Sequence, residues 1–406
     1  MNILIAIEDL RTGGAQTFAL RLAQALHAAG HQVHIYNHYA HLYNQELVKQ
    51  LAPDVPVVSY GVGEERQDWA LRKADALARR LGKPTALREE RMIRHLRATI
   101  ERLKPDVVNS HTIKADYAAA RALEGTGIPL VITMHGCYEL FLHKADAPEV
   151  TPKGNYALAQ AAAVVYLTAK NLEIFEQAGV RPLSKLLHAQ IYNGFDGQFS
   201  ATKAEHTRAA LGIPADATVF GMVARGIPEK GWQHAINSFL ELKSTQPKLH
   251  LVLVGESDYL RQLQSQYTDA RLHFTGFSRN PIDWVDIFDA GLLPSYFHAE
   301  SLPNVVAEYL SCGKPVIASR IGEVPAMLAS PAGLAGVLID QANWQLTDPG
   351  QLTAAMRAYL TQPELLAEHQ RRAEQAFEKF RMKYCIAAYE DLFARAQALP
   401  LPAVTR

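Results

Sequence analysis

Short apolar runs rich in Val, Ile and Leu alternate along this chain with stretches in which apolar residues recur every three or four positions. The first pattern predicts strands of a parallel sheet buried on both faces, and the second predicts the helices that cover it. Asn2 to Ile7 reads as a strand and residues 11 to 14 as a turn. Ala15 to Ala29 then reads as a helix with Phe18, Leu22, Ala25 and Leu26 on one stripe, closed by Gly30. Strands follow at His31 to Tyr36, Val55 to Tyr60, Asp106 to Ser110, Pro129 to Met134 and Ala163 to Leu167. After Asn193-Gly194-Phe195-Asp196 a polar stretch, Gly197 to Thr207, interrupts the rhythm. A second series begins at Thr218 to Ala224 and continues at Leu249 to Gly255, Leu272 to Thr275, Ala290 to Pro294, Pro315 to Ser319 and Gly336 to Ile339. The pattern predicts two doubly wound α/β domains, 1–196 and 197–379, facing each other across a cleft walled by the loops after each strand.

The composition removes several function classes. With 41 Lys plus Arg against 41 Asp plus Glu in 406 residues, no global field recruits a polyanion, and nucleic acid is not an expected partner. The three cysteines, Cys137, Cys312 and Cys385, are far apart, which argues against a disulfide framework or a zinc site and fits a cytoplasmic protein. The first residues, MNILIAIED, are too short an apolar run for a secretory signal. No 18-residue apolar stretch follows, so no membrane span is expected.

Candidate chemistry falls in the predicted loops. Gly13-Gly14 opens a helix with bare backbone N–H groups able to face an anion. A G-x-G-x-x-G pattern and a G-x-x-x-x-G-K-[ST] pattern are both missing, which argues against a dinucleotide site and a P-loop. In the segment from Pro294 to Ser319, Glu300 falls in a loop and Glu308 in the following helix, with Ser301, Leu302, Pro303 and Asn304 between them. Carboxylates there can accept hydrogen bonds from sugar hydroxyls, and free N–H groups beside them favour phosphate. Gly255 closes another strand. Arg225 and Lys230 flank a strand-to-helix loop, where two cations would stabilise the charge growing on a departing diphosphate. His135-Gly136 and His111 stand at the ends of strands. His31, His34, His38 and His41 have helix-like spacing but lie on a strand pattern that sends them to different faces, so no metal site is expected.

Taken together, Gly13-Gly14-Ala15-Gln16, Thr133-Met-His135-Gly136, Asn193-Gly194-Phe195-Asp196, Arg225 with Lys230-Gly231, Gly255-Glu256, and Glu300-x7-Glu308 followed by Gly313-Lys-Pro315 resemble the retaining glycosyltransferases of family four. The resemblance runs through nearly the whole chain and implies the GT-B fold, with two facing Rossmann-like domains. It implies a UDP- or GDP-sugar as substrate, no cofactor and no metal. It further implies that Glu308 binds the ribose, Arg225 and Lys230 the diphosphate, Glu300 the transferred sugar, His135 a sugar hydroxyl, and Gly14 the cleft opposite the phosphates. The last helix, about 380–406, is expected to pack back on the first domain. The acceptor implied is a glycan or lipid-linked intermediate of bacterial cell-surface polysaccharide or lipopolysaccharide synthesis. Ser-Leu-Pro follows Glu300 where Gly-Phe-Gly is frequent, Gly322 precedes Glu323 where a second Gly often stands, and Ala326 replaces a frequent acid, which leaves the donor open. A sugar-nucleotide epimerase on the same fold and a non-catalytic sugar-binding protein are the alternatives.

Two further expectations bear on this reading. Residues 64 to 104 hold twelve Lys or Arg and seven Asp or Glu, a local basic surplus. Arg88, Arg91, Arg94 and Arg97, with apolar residues interleaved, are expected to face an acceptor or an anionic membrane surface at the inner face of the plasma membrane. Replacing Glu300 or Lys230 is expected to cripple turnover while sparing the fold, on the premise that neither makes a core contact.

Overall fold

The structure is a computed structural model that describes residues 1–406 apart from 64, 84, 137–146, 177–179, 197–207, 279–280, 299, 344 and 400–406. Cys137, the polar stretch 197–207 and the chain end beyond Leu399 lie outside the described residues. The chain divides into two compact units, one of Met1–Gly194 with Met382–Arg406 and one of Phe195–Arg381.

The first unit has a seven-stranded sheet whose named pairings are all parallel. Its strands are β1 (Asn2–Ile7), β2 (Gln32–Asn37), β3 (Val57–Ser59), β4 (Val107–His111), β5 (Leu130–Met134), β6 (Ala163–Tyr166) and β7 (Leu187–Gln190). They lie in the order β3-β2-β1-β4-β5-β6-β7. Between them come α1 (Gly14–Ala28), α2 (Gln45–Leu51), α3 (Glu65–Arg80), α4 (Leu87–Leu103), α5 (Ile113–Ala122) and α6 (Ala147–Gln160). Every residue of β4 and β5 is buried; β5 reads as a nearly continuous apolar run, while β4 carries the buried polar residues Asn109, Ser110 and His111 at its carboxyl end. Gly30, at φ 92°, terminates α1 in a conformation that side chains disfavour.

The second unit repeats the architecture with β8 (Thr218–Val223), β9 (Leu249–Val254), β10 (Leu272–Gly276), β11 (Ala290–Leu293), β12 (Val316–Ser319) and β13 (Gly336–Ile339), in the order β10-β9-β8-β11-β12-β13. Its helices include α7 (Trp232–Leu242), α8 (Asp258–Gln266), α9 (Asn304–Ser311), α10 (Gly350–Thr361) and α11 (Pro363–Phe377). Trp232, Ile236 and Phe239 of α7 are fully buried beside Phe220, Leu251 and Tyr359 in one core.

After the second unit, α12 (Met382–Gln397) rejoins the core of the first. Cys385, Tyr389, Leu392 and Phe393 are buried among Phe18, Leu22, Ile5 and Val131. Gly194 permits this docking, because a Cβ there would sit 2.6 Å from Met382 Sδ and 2.8 Å from Cys385 Cβ. Among the described residues no helix is long and apolar enough to cross a membrane.

Candidate functional site

In each unit the chain winds outward from the central strand on one side and then returns to build the other side. The reversals fall between β1 and β4 in the first unit and between β8 and β11 in the second. Loops leaving adjacent strands in opposite directions at such a point splay apart and leave a crevice at the carboxyl ends of the strands. Most of the chemistry-bearing residues sit on or beside these loops.

In the second unit, the loop after β8 carries Arg225 and ends in a 3-10 turn, Pro228–Lys230. Gly231 then takes φ 85°, and a Cβ on it would lie 2.2 Å from Pro294 O, so the β8 loop can press against the β11 loop only with glycine here. That contact brings Lys230 onto Glu300. Nζ pairs with Oε2, and the two side chains are only 9% and 8% exposed. Ser295 Oγ donates to the same Oε2 at 2.8 Å, and Oε1 has no partner among the described residues. Phe297 lies beside them. Lys230 Nζ is 5.2 Å and Arg225 Cζ 5.0 Å from its ring centroid, so one ring carries two cations. Arg225 is exposed and makes no ion pair among the described residues, while its carbonyl accepts from Trp232 Nε1 at 3.0 Å. Phe297 and Ser295 had no role assigned from sequence. An aromatic residue in the loop that also holds the candidate glutamate was the available signal.

The burial of the Lys230–Glu300 pair corrects the expectation that either residue can be replaced without cost to the fold. Among the described residues each is the other's only ion-pair partner, and removing one leaves a charge in a site with little water.

Pro303 caps α9, Asn304 is its first residue and Glu308, half-buried, lies in its second turn. Tyr309 turns the other way into the core, its hydroxyl accepting from Val223 N at 2.8 Å, which ties α9 to the end of β8. Ser301 and Leu302 are buried. Ser301 O accepts from Glu323 N at 2.8 Å, and Gly322 at φ 51° lies so close that a Cβ would be 2.4 Å from Ser301 O. The glycine noted before Glu323 therefore supports the loop after Glu300. Gly255 follows β9, and its N–H donates to Gly276 O at 3.0 Å.

In the first unit, Gly13 caps α1 without a side-chain hydrogen bond and Gly14 is the first helical residue. Gln16 Oε1 occupies the place of a Gly13 Cβ, 2.3 Å away, and Gln16 Nε2 donates to Asp9 at 3.2 Å. His135, just past β5, lies 2.7 Å from His111, the last residue of β4. The rings stack at 5.0 Å, and the edge of Phe18 covers His135 at 5.7 Å. Burial pushes the His135 pKa down to about 4 and that of His111 well below its usual range, so both rings are neutral at pH 7.

The four arginines of α4 do not form the open basic face expected. Arg88 pairs with Asp68 at 2.7 Å and stacks over Tyr39 at 4.6 Å. Arg91 donates to Gln67, Arg97, its side chain 43% exposed, pairs with Glu101 at 3.4 Å, and Arg94 is exposed. Met92, Ile93 and Leu96, which interleave with them, are core residues. The outward surface belongs instead to α3, which buries no residue. Trp69, Leu77 and, just past the helix, Leu81 are 54%, 58% and 69% exposed, with Lys73 on the same stripe.

Among the described residues no group of three or more His, Cys, Asp or Glu is arranged to hold a metal ion.

Comparison with known proteins follows the two-unit division. Residues 203–377 match the family described as Glycosyl transferases group 1, and residues 12–198 match Glycosyltransferase Family 4. The chain is 26% identical over 319 residues to D-inositol 3-phosphate glycosyltransferase 2 of Catenulispora acidiphila, spanning 72% of this chain and 71% of that one. It is 31% identical over 200 residues to the lipopolysaccharide core biosynthesis glycosyltransferase LpsD of Rhizobium meliloti, spanning 47% and 53%. The structure of Anabaena HepE in complex with UDP superposes with a TM-score of 0.75 at 20% identity, covering 97% of this chain and 100% of that one.

Proposed function

The chain belongs to the group 1 glycosyl transferases, and from that membership we propose that it moves a sugar from a UDP- or GDP-sugar to a hydroxyl acceptor, with retention at the anomeric carbon and without a metal. The observation that carries this reading is the corner of the second unit where Lys230, Glu300, Ser295, Phe297 and Arg225 converge. Arg225, exposed and without an ion-pair partner among the described residues, is the charge available to a diphosphate, and Lys230 reinforces it as the bond to the sugar breaks. Glu300 keeps Lys230 and Ser295 on Oε2 and offers Oε1 to a sugar hydroxyl. Glu308 is assigned the ribose, with Gly255, Ser301, Leu302, Pro303 and Asn304 shaping the donor site. Gly13 and Gly14 offer bare N–H groups at the start of α1, and His135 takes a sugar hydroxyl.

Family membership supports retention, and the engagement of Glu300 bears on which retaining route is used. Of the two retaining routes, double displacement needs a carboxylate beneath the anomeric carbon to attack it, whereas Glu300 has Oε2 on Lys230 and Ser295 and Oε1 assigned to a sugar hydroxyl. The departing phosphate then deprotonates the acceptor hydroxyl on the same face. HepE has been crystallised with UDP and with UDP-glucose, which supports a nucleotide-sugar donor here. The name of the LpsD relative supports a glycan or lipid-linked acceptor of lipopolysaccharide or related cell-surface polysaccharide synthesis. Such acceptors lie at the cytoplasmic face of the membrane, and the stripe of Trp69, Lys73, Leu77 and Leu81 is the proposed peripheral contact, in place of the arginines of α4.

The test is incubation of the purified chain with a panel of UDP-, GDP- and ADP-sugars, reading release of nucleoside diphosphate with and without EDTA. Release from a UDP- or GDP-sugar that persists in EDTA is expected. Interconversion of the sugar without release, or strict dependence on added Mg²⁺ or Mn²⁺, contradicts the proposal.

A further inference from the structure

The pair of histidines at the ends of β4 and β5 has a direction, and the direction is set two residues back. Asn109 and His111 lie on the same face of β4, and β4 pairs with β5 so that Asn109 is opposite Val131 and His111 opposite Thr133. Asn109 Nδ2 donates to Val131 O at 2.9 Å and to Thr133 Oγ1 at 3.0 Å. A backbone carbonyl can only accept, so the amide orientation is fixed and Asn109 Oδ1 faces His111 Nε2 at 2.9 Å as an acceptor. His111 must therefore carry its proton on Nε2. Its Nδ1 is then a lone pair, and His135 Nε2, 2.7 Å away, must supply the hydrogen. Each neutral imidazole has one N–H, so the remaining nitrogen of His135, Nδ1, is an acceptor. It has no hydrogen-bond partner among the described residues.

The surroundings hold this order in place. Asn109 and His111 are fully buried, and Phe18 packs its ring against both imidazoles. The next residue after His135 is pinned as well, because Gly136 O accepts from Asn171 Nδ2 at 2.9 Å. Thr112, directly after His111, holds φ 83° and ψ 142°, a conformation side chains rarely adopt.

We infer that His111, oriented by Asn109, is a positioning residue that locks His135 in the Nε2–H tautomer, so that His135 presents Nδ1 to substrate as a hydrogen-bond acceptor for a hydroxyl. The inference rests on the assignment of His135 to a sugar hydroxyl and sharpens it. An imidazole presenting N–H would suit a phosphate or carbonyl oxygen. One presenting a lone pair requires a hydrogen-bond donor, which for the assigned sugar contact is a hydroxyl, and a deoxy or O-methyl analogue at that position loses the contact.

The experiment uses the full chain with ¹⁵N-labelled histidine, the His135 signals being assigned by their loss in His135→Gln. Long-range ¹H–¹⁵N spectra distinguish a protonated ring nitrogen from one bearing a lone pair. In the wild type, without any donor, His135 should show Nε2 protonated and Nδ1 unprotonated, unchanged from pH 5.5 to 8. In His111→Phe the acceptor is gone, and His135 Nδ1 should move towards the average of the two tautomers. Donor turnover should then fall roughly 10- to 100-fold, the scale known for losing a group that orients a metal-ligating histidine. His111→Gln, whose carbonyl can accept from Nε2–H, should recover part of both. A wild-type His135 with its proton on Nδ1, or cationic at neutral pH, overturns the inference and requires no variant to fold. Because the tautomer is read without turnover, an inactive donor panel would count against the proposed function and leave this result standing.

Discussion

Lys230 and Glu300 lie 70 residues apart in sequence and form an ion pair in which each side chain is more than nine-tenths buried. Their loops leave β8 and β11, neighbours in the sheet at the point where the chain reverses direction. The cation assigned to a leaving diphosphate is thus compensated before any donor arrives, and Arg225, 5.0 Å from the Phe297 ring centroid, carries the exposed charge.

This pairing makes stability and activity separable. Lys230→Ala or Glu300→Gln should each destabilise the second unit by about 3–5 kcal/mol, the cost of stranding one member of a buried pair. Lys230→Met combined with Glu300→Gln should recover much of that loss and remain inactive. Urea unfolding of the three variants checks this, and single variants as stable as wild type would show that the pair is solvated.

Arg225 behaves differently because it is exposed. Arg225→Ala should leave stability within about 0.5 kcal/mol, as surface changes usually do. It should still lower turnover on the order of 10²-fold, the scale of one lost transition-state contact. A thermal melt and a donor-release assay on the same preparation suffice. Unchanged turnover would remove Arg225 from the diphosphate site.

Buried neutral histidines should make the fold acid-sensitive. Burial lowers the pKa of His38 to about 3 and those of His135 and His250 to about 4. The unfolded chain, with histidine pKa near 6.5, therefore binds more protons than the fold between those values, so stability is greatest above about pH 6.5 and declines as pH falls towards 4. His38, whose two ring nitrogens are buried without a partner among the described residues, is the clearest contributor. Unfolding free energy measured from pH 7.5 to 4 should slope less in His38→Phe than in wild type. Equal slopes would contradict the assignment.

The outward stripe near α3 predicts a surface interaction. Trp69→Ser, Leu77→Ser and Leu81→Ser together should reduce cosedimentation with vesicles rich in phosphatidylglycerol and leave hydrolysis of a soluble donor intact. Wild-type binding should weaken with added salt, because basic residues beside the stripe contribute. Absence of wild-type binding at low salt would discard the membrane contact.

Strands buried on both faces were plain in the sequence, since Leu130–Met134 and Leu249–Val254 are nearly continuous apolar runs. β7 was not, because Leu187–Gln190 is an edge strand with alternate residues exposed and no apolar run to mark it. The resemblance to the family grouped Arg225, Lys230, Glu300 and Glu308 as a set. It could not reveal that Lys230 meets Glu300 or that Phe297 carries both cations, because those contacts arise from the adjacency of β8 and β11. The basic surplus around α4 was real as composition but misleading as surface: Arg88 is consumed by Asp68 and Tyr39, while the exposed apolar residues sit around α3. Net charge over a segment does not tell which side chains already have partners.

The most direct test of the account is the configuration of the first sugar released. Nucleotide sugars with an α-linked phosphate can be hydrolysed slowly with water as acceptor, and ¹H NMR in the first minutes reads the anomer before it equilibrates. Same-face departure and attack, with Glu300 held by Lys230 and Ser295, predicts the α-anomer. A first-formed β-anomer would require a general base opposite the leaving group and would contradict the arrangement described.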